Sequence, residues 1–441
     1  MTFDEWLMQA STLSGAHSNL AGLTESTVSR ALIQLHRLIC SAPTSLHVAY
    51  KRVPEALLMR EAERREGRIV NGDYGWTLPP SRSEEDCALA VGSQIRALDR
   101  ILLTTAKSHL GPPSDPMEWL CSEERVFVVP RKHPRQPVAA KRDGQAYSRR
   151  GLLCHRLIPR EAHGYEVDLV QHGTIPPVAG PLAGVAPLGA ALFSGLNLKI
   201  EKSRKGFVVT DAVCHDSSGT VVGQIEAAIA EGCFGIVWPE LTVPPQLRGV
   251  IADALRGRAL ETDDRPAPQV VVAGTWHETS RRKVKNVATI FDGYGNITLR
   301  YEKFIPYEDK NLGVEKIVPG NKIPVLVTDD QLIAFAICKD FCDLSVNLPY
   351  PELDVDLVIV PSMGGDTTMT GHQDTAKKIR VRYGAHTFVV QQADSGHAEG
   401  ERLGYVLPLL DDPMALKPSD LQQFVTWKSY SWTTTRMGTT S

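Results

Sequence analysis

The chain has 441 residues, of which 42% are hydrophobic and 22% are charged, and its formal net charge is -3. The length favours two or three domains, and the composition is ordinary for a globular protein with a sizeable core. A net charge this close to zero gives no overall reason to expect binding to nucleic acid or to a membrane.

The eight cysteines form no Cys-x-x-Cys pair. Cys338 and Cys342 are four residues apart, but no histidine pair at zinc-ligand spacing accompanies them. We therefore expect reduced thiols in a cytoplasmic protein, with no metal and no cofactor. The first ten residues carry two acids and lack the basic start of a secretory signal, so we expect no such signal.

Residues 1–172 are predicted to form a mainly helical N-terminal region. Apolar side chains recur at helical spacing over residues 23–40, where Thr24 is placed to cap the helix, and residues 88–110 form a second helical stretch. Residues 1–185 resemble no family that we recognise. They carry neither a synthetase phosphate loop nor a polymerase-type Asp-Asp motif.

A basic stretch covers residues 131–160, where nine basic residues face a single acid, Asp143. Such a stretch can bind nucleic acid or another acidic partner. It can equally be a solvated linker, or its arginines can pair with acids of the other domain, and Tyr147 alone offers little for base stacking. The basic residues are Arg131, Lys132, Arg135, Lys141, Arg142, Arg149, Arg150, Arg156 and Arg160.

Residues 173–198 carry no charge and are long enough to span a bilayer. Four prolines and five glycines interrupt them, and this composition breaks a helix. We therefore predict a Pro/Gly linker between two domains, and no membrane partner.

Residues 199–441 alternate between strand-like and helix-like segments, with a turn signal inside the hairpin at 287–301. The pattern predicts an α/β domain with a mixed sheet, because there is too much strand pairing for a purely parallel fold. We predict strands at 206–210, 234–238, 269–275, 287–291, 296–301, 324–328, 332–337, 355–361 and 387–392, and helices at 221–231, 246–260 and 372–385.

Three reactive side chains each follow a strand-like apolar segment in this domain: Glu240, Lys303 and Cys338. Catalytic groups collect at strand ends in α/β proteins. A carboxylate, an amine and a thiol in such places suggest a general base, an electrostatic stabiliser and a nucleophile.

The sequence around these residues resembles the nitrilase, or carbon–nitrogen hydrolase, superfamily over about residues 200–410. Pro239-Glu240-Leu241 is similar to the glutamate box of that family, and Cys338-Lys339-Asp340 is similar to its cysteine box. The hairpin leading into Tyr301-x-Lys303 fits the family pattern between them. Any one box is weak, whereas all of them in order make a specific signal. The further matching residues are Asn286, Ala288, Ile290, Gly295, Ile297, Arg380, Ala385 and Phe388-Val389-Val390.

The resemblance implies a nitrilase-like αββα sandwich that forms a homodimer or a higher homo-oligomer. It implies a thiol hydrolase that cleaves a non-peptide C–N bond of a small linear amide, a nitrile or a carbamoyl compound through a thioester. Glu240 would be the base and Cys338 the nucleophile, while Lys303 and the backbone N–H of Lys339 would stabilise the developing charge. A second glutamate is expected in the loop after the lysine, where we favour Glu308 over Glu315.

Some residues depart from the family pattern. Lys339 stands where the family commonly has an aromatic or acidic residue. The lysine either favours an acidic substrate or faces solvent. Cys342 is either a resolving thiol or a packing residue, and we favour packing. We expect residues 362–366 to line the pocket. The alternative function is a regulatory or bacterial defence module, in which the nitrilase-like domain senses a ligand and the N-terminal region engages a partner.

Overall fold

A computed structural model describes most of the chain. The described ranges are 1–18, 22, 24–105, 115–132, 134–135, 150–172, 186–204, 206–260, 267–329, 331–343, 348–393 and 401–431. Two compact units are present, Met1–Arg160 and Glu161–Ser441.

Among the described residues, the N-terminal unit contains five α-helices. The second begins after Thr24, whose side chain accepts the backbone N–H of Thr27 and so caps the helix. Apolar faces of the helices share one core, in which Trp6, Leu32 and Ile95 are fully buried. The helices are α1 (Phe3–Ser18), α2 (Glu25–Cys40), α3 (Thr44–Arg52), α4 (Glu55–Val70) and α5 (Glu84–Thr105).

A three-stranded antiparallel sheet accompanies the helices in the described part of this unit, an element that the prediction of a mainly helical region did not include. Its strands follow a short 3-10 helix (Pro116–Trp119) and lie in the order β1 (Leu120–Cys121), β2 (Val126–Pro130) and β3 (His155–Pro159). Side chains from β2 and β3 join the helical core. The sheet was missed because residues 131–154, and not a short hairpin turn, separate β2 from β3.

The basic stretch is not an open contact surface throughout. The Arg131 and Arg156 residues are buried, and the Arg150 side chain is 8% exposed. Arg150 donates to the carbonyl oxygens of Tyr50 and Val53 and pairs with Glu55, which ties it to the helical core. These three arginines therefore belong to the packing of the unit. Residues 133 and 136–149 of the stretch lie outside the described residues.

The C-terminal unit is built on two sheets. The six-stranded sheet has the order β12-β11-β10-β9-β6-β21, and the eight-stranded sheet has the order β20-β19-β18-β17-β16-β15-β5-β4. The first sheet contains β6 (Leu188–Ala191), β9 (Gly235–Val237), β10 (Val270–Ser280), β11 (Lys283–Phe291), β12 (Ile297–Glu302) and β21 (Trp427–Tyr430). The second contains β4 (Glu161–Ala162), β5 (Tyr165–Gln171), β15 (Lys322–Val327), β16 (Leu332–Phe335), β17 (Leu357–Met363), β18 (His386–Gln392), β19 (Gly404–Leu407) and β20 (Gln422–Gln423).

Helices cover the outer face of each sheet. Apolar residues of α6 (Ser217–Ala230) and α7 (Pro245–Ala259) share a core with β6, β9, β10 and β11. The helix α9 (Asp366–Tyr383) packs on β18 in the other sheet, beside the short α8 (Lys339–Cys342). The inner faces of the two sheets meet at β10 with β17 and at β12 with β15. The predicted αββα sandwich is therefore confirmed for this unit.

Two small ribbons and two 3-10 helices also lie in the described part of the C-terminal unit. One ribbon is the hairpin of β7 (Asn197–Ser203) and β8 (Gly206–Val213), and the other pairs β13 (Glu308–Asp309) with β14 (Gly313–Val314). The 3-10 helices are Tyr350–Glu352 and Pro418–Leu421.

The boundary between the units lies earlier than predicted. The strands β4 and β5 belong to the eight-stranded sheet, where β5 pairs in parallel with β15. The strand β6, placed in the predicted linker, pairs with β9 and β21 inside the six-stranded sheet. The C-terminal unit therefore begins at Glu161, and residues 173–185 of the predicted linker lie outside the described residues.

Within the described ranges, none of the helices has the length and apolar character that crossing a bilayer requires.

Candidate active site

Glu240 lies three residues beyond β9, at an end where the two sheets meet. Its backbone N–H donates to the carbonyl oxygen of Ser362 in β17 (3.3 Å), so the loop is fixed to the other sheet. Leu241 has a φ of 56°, which is rare for a residue with a side chain. A Cβ at Gly274 would lie 2.5 Å from the carbonyl oxygen of Pro239, so only glycine lets β10 pass this closely. These constraints hold the Glu240 carboxylate inside the unit.

Lys303 is the first residue after β12, and its side chain is 1% exposed. Its backbone N–H donates to the carbonyl oxygen of Asn286 (2.9 Å). The ammonium nitrogen donates to Glu240 Oε1 (2.8 Å) and to Glu315 Oε2 (2.7 Å). One buried cation is therefore shared by two buried carboxylates, an arrangement that costs much desolvation free energy unless it is fully hydrogen-bonded.

Cys338 follows β16 by three residues and is 4% exposed. Its φ of 45° and ψ of -104° lie in a strained region for a non-glycine residue. The backbone N–H donates to the carbonyl oxygen of Pro361 (3.0 Å), and the thiol donates to that of Met363 (3.5 Å). Strained backbone of this kind costs about 1–3 kcal/mol and clusters at functional sites. The loop after β16 thus holds the Cys338 sulfur in one orientation.

Asp340 connects the cysteine loop to the lysine loop. Its fully buried carboxylate accepts the hydroxyl of Tyr301 (2.7 Å) and the backbone N–H groups of Phe304 (3.2 Å) and Ile305 (2.8 Å). Burial raises the pKa of Asp340 to about 7, although Lys303 and these hydrogen bonds act in the opposite direction. Asp340 therefore fixes the backbone just after Lys303 relative to Cys338.

Glu315, and not Glu308, joins this cluster, so the preference for Glu308 is corrected. Glu308 is exposed in the ribbon of β13 and β14. Glu315 is buried and accepts hydrogen bonds from Lys303, from the Tyr307 backbone N–H (2.9 Å) and from the Asn286 side chain (2.9 Å). The β13–β14 turn reverses the chain between the two glutamates and brings the second one back to the lysine.

His277 gives Glu315 a fourth donor and links it to the hairpin of β7 and β8. Its Nδ1 accepts the backbone N–H of Val209 (2.8 Å), so the ring proton lies on Nε2, which donates to Glu315 Oε1 (2.8 Å). The hairpin also contacts the segment that follows β14, because the Lys316 backbone N–H donates to the carbonyl oxygen of Phe207 (2.9 Å). A Cβ at Gly206 would lie 1.9 Å from the carbonyl oxygen of Val314, so the two segments can approach this closely only at a glycine.

The two carboxylates have opposite pKa shifts. Burial raises the pKa of Glu240, and the neighbouring charges of Cys338 and Glu315 raise it further, beyond what Lys303 offsets. Burial also raises the pKa of Glu315, but the Lys303 ammonium and the hydrogen bond from His277 lower it by more, to well below its usual value. Glu315 is therefore the ionised partner of Lys303, and Glu240 is the carboxyl that can exchange a proton.

The lysine and the cysteine both have raised pKa values. Burial lowers the pKa of Lys303, but Glu240 and Glu315 raise it by more, so the amine stays protonated. A hydrogen bond with Cys342 raises the pKa of Cys338, and burial raises it further. The resting sulfur is therefore a thiol, which needs a base before it can act as a nucleophile.

Sequence reasoning found Glu240, Lys303 and Cys338 but missed the function of their neighbours. Asn286 donates from one amide nitrogen to Glu240 (2.9 Å) and to Glu315 (2.9 Å), which bridges the two acids. The match of Asn286 to the family pattern indicated that this residue could take part in the site. No pattern pointed to His277, because a single histidine on a strand is more often a packing residue.

The remaining predicted residues lie close to the cysteine. Lys339 is partly exposed, and its ammonium is 3.6 Å from Asp343. Cys342 is partly buried and is a free thiol. Ser362 is buried and its hydroxyl contacts His372 Nε2 (2.9 Å). The lysine therefore faces a carboxylate of its own helix end and is not an isolated positive charge.

Among the described residues, no three side chains of His, Cys, Asp or Glu are grouped so that they could hold a metal ion.

Comparison with known proteins gives structural likeness only. No family model matches the sequence, and no curated protein matches it. An amidase from Nesterenkonia sp. is 14% identical, with a TM-score of 0.37, over 58% of this chain and 92% of the amidase. Saccharomyces cerevisiae Nit3, a member of branch 10 of the nitrilase superfamily, is 15% identical, with a TM-score of 0.39, over 56% of this chain and 90% of Nit3.

A third similar structure is a variant of the amidase from Nesterenkonia sp. AN1 with the acetamide moiety of fluoroacetamide covalently added at its active-site cysteine. It is 14% identical, with a TM-score of 0.37, over 58% of this chain and 93% of that protein. The solved structures with which part of the chain shows this distant likeness thus include a member of the nitrilase superfamily and amidases. The chemistry of the cluster has to follow from its own contacts.

Proposed function

We propose that this protein is a thiol hydrolase that cleaves the C–N bond of a small linear amide, with a nitrile or a carbamoyl compound as related substrates. One observation carries the proposal: a buried lysine is held between two carboxylates of opposite pKa shift, next to a thiol on strained backbone. A nucleophile, a base and an electrostatic stabiliser in one buried cluster fit acyl transfer.

In the first half of the reaction, Glu240 takes the proton of the Cys338 thiol while the sulfur attacks the amide carbon. The carbonyl π electrons move to oxygen, and the charge that develops there is stabilised by the Lys303 ammonium and the backbone N–H of Lys339. Collapse of this intermediate breaks the C–N bond. The nitrogen takes the proton from Glu240 and leaves as ammonia or an amine, and the acyl group stays on sulfur as a thioester.

In the second half, Glu240 takes a proton from water as the water oxygen attacks the thioester carbon. Lys303 again stabilises the oxyanion. Collapse breaks the C–S bond, the sulfur recovers its proton from Glu240, and the carboxylic acid leaves. The raised pKa of Glu240 suits both roles, because it makes the carboxylate a stronger base than an exposed one, toward the thiol and toward water.

Glu315 serves the reaction without exchanging a proton. It accepts hydrogen bonds from Lys303, Asn286, His277 and the Tyr307 N–H, and its pKa lies well below the usual value. It therefore supplies the permanent counter-charge of the lysine. This leaves Glu240 able to become neutral during the reaction without leaving Lys303 as an unpaired buried cation.

The test is release of ammonia from a pool of small linear amides, measured for four proteins. The wild type and Cys342→Ala should release ammonia, whereas Cys338→Ala and Glu240→Gln should lose the activity. Equal rates for the wild type and Cys338→Ala would refute the proposal. Cys342→Ala is the matched control, because it removes a neighbouring thiol four residues away and leaves the proposed nucleophile.

The homodimer, and a nucleic acid or acidic partner at residues 131–160, stay predictions. The buried positions of Arg131, Arg150 and Arg156 reduce the number of basic residues that a partner could contact. The alternative of a ligand-sensing module differs from the hydrolase in one respect: a sensor would bind an amide without forming a thioester.

A further inference from the structure

We propose that the Ser362 hydroxyl is a further catalytic group of the thiol cluster, which donates a hydrogen bond to the Cys338 sulfur when the thiol loses its proton, and that His372 positions this hydroxyl. In the proposed hydrolase, on which this inference rests, Lys303 and the backbone N–H of Lys339 stabilise charge on the substrate oxygen, whereas Ser362 stabilises charge on sulfur. The hydroxyl therefore contributes both when sulfur attacks the amide and when it leaves the thioester.

Ser362 lies in β17, between two residues that hold the cysteine loop. The carbonyl oxygen of Pro361 accepts the Cys338 backbone N–H (3.0 Å), and that of Met363 accepts the thiol (3.5 Å). The carbonyl oxygen of Ser362 itself accepts the backbone N–H of Glu240 (3.3 Å). Ser362 is thus fixed next to both the nucleophile and the base, through backbone groups that a change of its side chain does not remove.

The Ser362 side chain is fully buried and hydrogen-bonds with the Cys338 side chain. A hydrogen bond with Cys342 and burial raise the pKa of Cys338, whereas Lys303 and the Ser362 hydroxyl act in the opposite direction. A group that lowers the pKa of a thiol stabilises the thiolate more than the thiol, as a hydrogen-bond donor to sulfur does. Hydrogen bonds to an ionised group are about twice as strong as those between neutral groups.

Gln391, in β18, decides where the Ser362 hydroxyl points in the resting site. Both of its amide hydrogens are donated, to the carbonyl oxygens of Gly364 (2.9 Å) and Gly365 (3.0 Å). Its Oε1 can only accept, and it lies 3.4 Å from the Ser362 oxygen. The hydroxyl hydrogen is therefore directed to Gln391 in a long hydrogen bond.

His372, in α9, supplies a donor to the Ser362 oxygen. Burial lowers the pKa of His372 to about 3, so the ring is neutral and carries one proton. Among the described residues, Nδ1 has no hydrogen-bond partner, whereas Nε2 lies 2.9 Å from the Ser362 oxygen. Since the hydroxyl hydrogen is directed to Gln391, the ring proton lies on Nε2 and is donated to that oxygen. The ring also stacks on Phe341, with the ring centroids 6.0 Å apart.

Ionisation of Cys338 converts these contacts into a chain of donors that ends at sulfur. A thiolate is a stronger acceptor than a neutral amide oxygen at 3.4 Å, so the hydroxyl hydrogen rotates about the C–O bond to sulfur. The Nε2–H of His372 keeps the Ser362 oxygen in place and polarises the hydroxyl, because successive hydrogen bonds strengthen one another. Ser362 keeps its own proton throughout, since the proton of the thiol goes to Glu240.

Alkylation of Cys338 by iodoacetamide tests the inference without requiring hydrolysis. The full chain is used, and peptide mapping isolates the rate at Cys338 among the eight cysteines. At neutral pH, Ser362→Ala should slow this alkylation about threefold, because a thiolate population about tenfold smaller is partly offset by the greater reactivity of each thiolate. The same variant should lower kcat for ammonia release about tenfold at unchanged KM, because the hydroxyl contacts sulfur and not the substrate.

Thr387→Val is the matched control. Thr387 is a buried residue of β18 whose hydroxyl has no hydrogen-bond partner among the described residues, and valine is nearly isosteric with it. This variant should change neither the alkylation of Cys338 nor the release of ammonia.

Two substitutions of His372 test its positioning role. His372→Gln should keep most of both rates, because its NH2 group can replace the Nε2–H donor, whereas His372→Met should slow both reactions. In the Ser362→Ala background, His372→Met should cost nothing more, because His372 acts through the hydroxyl. A merely structural role of the histidine would give losses that add. If Ser362→Ala does not fold, equal rates in His372→Gln and His372→Met would overturn the inference.

Wild-type alkylation in Ser362→Ala, or additive losses in the double variant, would also overturn the inference. If the wild type releases ammonia in that case, the hydrolase proposal stands alone. Failure of the hydrolase proposal has a different result: the wild type would release no ammonia, while alkylation of Cys338 would still depend on Ser362.

Discussion

Replacing Glu315 with glutamine is a sharp test of how the cluster is held together. Each carboxylate oxygen of Glu315 accepts two hydrogen bonds: Oε1 from His277 and Asn286, and Oε2 from Lys303 and the Tyr307 N–H. Glutamine has only one acceptor oxygen, so its NH2 group must face two of these four donors. The substitution is nearly isosteric, and any effect therefore comes from charge and hydrogen bonding.

The neighbours cannot adapt without a further loss. His277 cannot move its proton to Nδ1, because that nitrogen accepts the Val209 N–H. Asn286 could turn its unpartnered oxygen toward the new NH2 group, but its amide nitrogen would then leave Glu240. Two unsatisfied buried donors at about 1–3 kcal/mol each give a destabilisation of about 2–6 kcal/mol.

The effect on the proposed reaction should exceed the effect on stability. With Glu315 neutral, Glu240 becomes the only carboxylate partner of the buried Lys303, which lowers the pKa of Glu240 and weakens it as a base. Loss of effective general base catalysis costs about 10²–10⁴-fold in rate. Ammonia release and urea unfolding measure the two effects on the same preparations.

Glu308→Gln is the matched control, because Glu308 lies seven residues earlier in the same loop but is exposed. It should change neither the rate nor the stability beyond experimental error. Wild-type activity in Glu315→Gln, or an equal loss in Glu308→Gln, would refute the reasoning about this network.

Three further predictions concern the same unit. In a double-mutant cycle, Glu240→Gln and Lys303→Ala should each lower kcat by orders of magnitude, and losses that simply add would contradict one shared transition state. Because burial raises the pKa of Asp340 to about 7, the folded protein holds this proton more tightly than the unfolded chain, and stability should fall as the pH rises from about 4 through 7. Asp340→Asn should remove that part of the fall in urea unfolding, and an unchanged pH dependence would contradict it. A fragment of residues 161–441 should unfold cooperatively on heating, whereas residues 199–441 should not, because they lack β5 and β6; cooperative unfolding of the shorter fragment would contradict the boundary.

The sequence revealed the part of the fold that depends on local patterns. Strands such as β9, β16 and β17 are continuous apolar runs, and each of the three reactive residues follows such a strand or a hairpin, so their convergence could be expected. The strand β5 alternates polar and apolar residues, a strand pattern that the prediction of a mainly helical region overlooked, and its partner β15 lies about 150 residues later. Pairing between such distant segments leaves no local signal.

The details of the site depended on turns and burial, which composition does not encode. Glu308 and Glu315 both lie in the loop that follows Lys303. The β13–β14 turn, which reverses the chain between them, decides that Glu315 contacts Lys303. Arg150 reads as part of a charged surface, yet carbonyl oxygens at the end of α3 and Glu55 bind its guanidinium. In both cases the deciding contacts are formed by residues that are remote in sequence or on another element.

Covalent capture of an acyl group tests the central claim most directly. The wild-type protein is exposed briefly to a pool of small linear amides, quenched in acid and weighed by intact-mass spectrometry, with peptide mapping of any adduct. We expect a mass increase equal to one acyl group, located on Cys338, retained in Cys342→Ala and absent from Cys338→Ala. An adduct located on another cysteine, or one that persists in Cys338→Ala, would contradict the account.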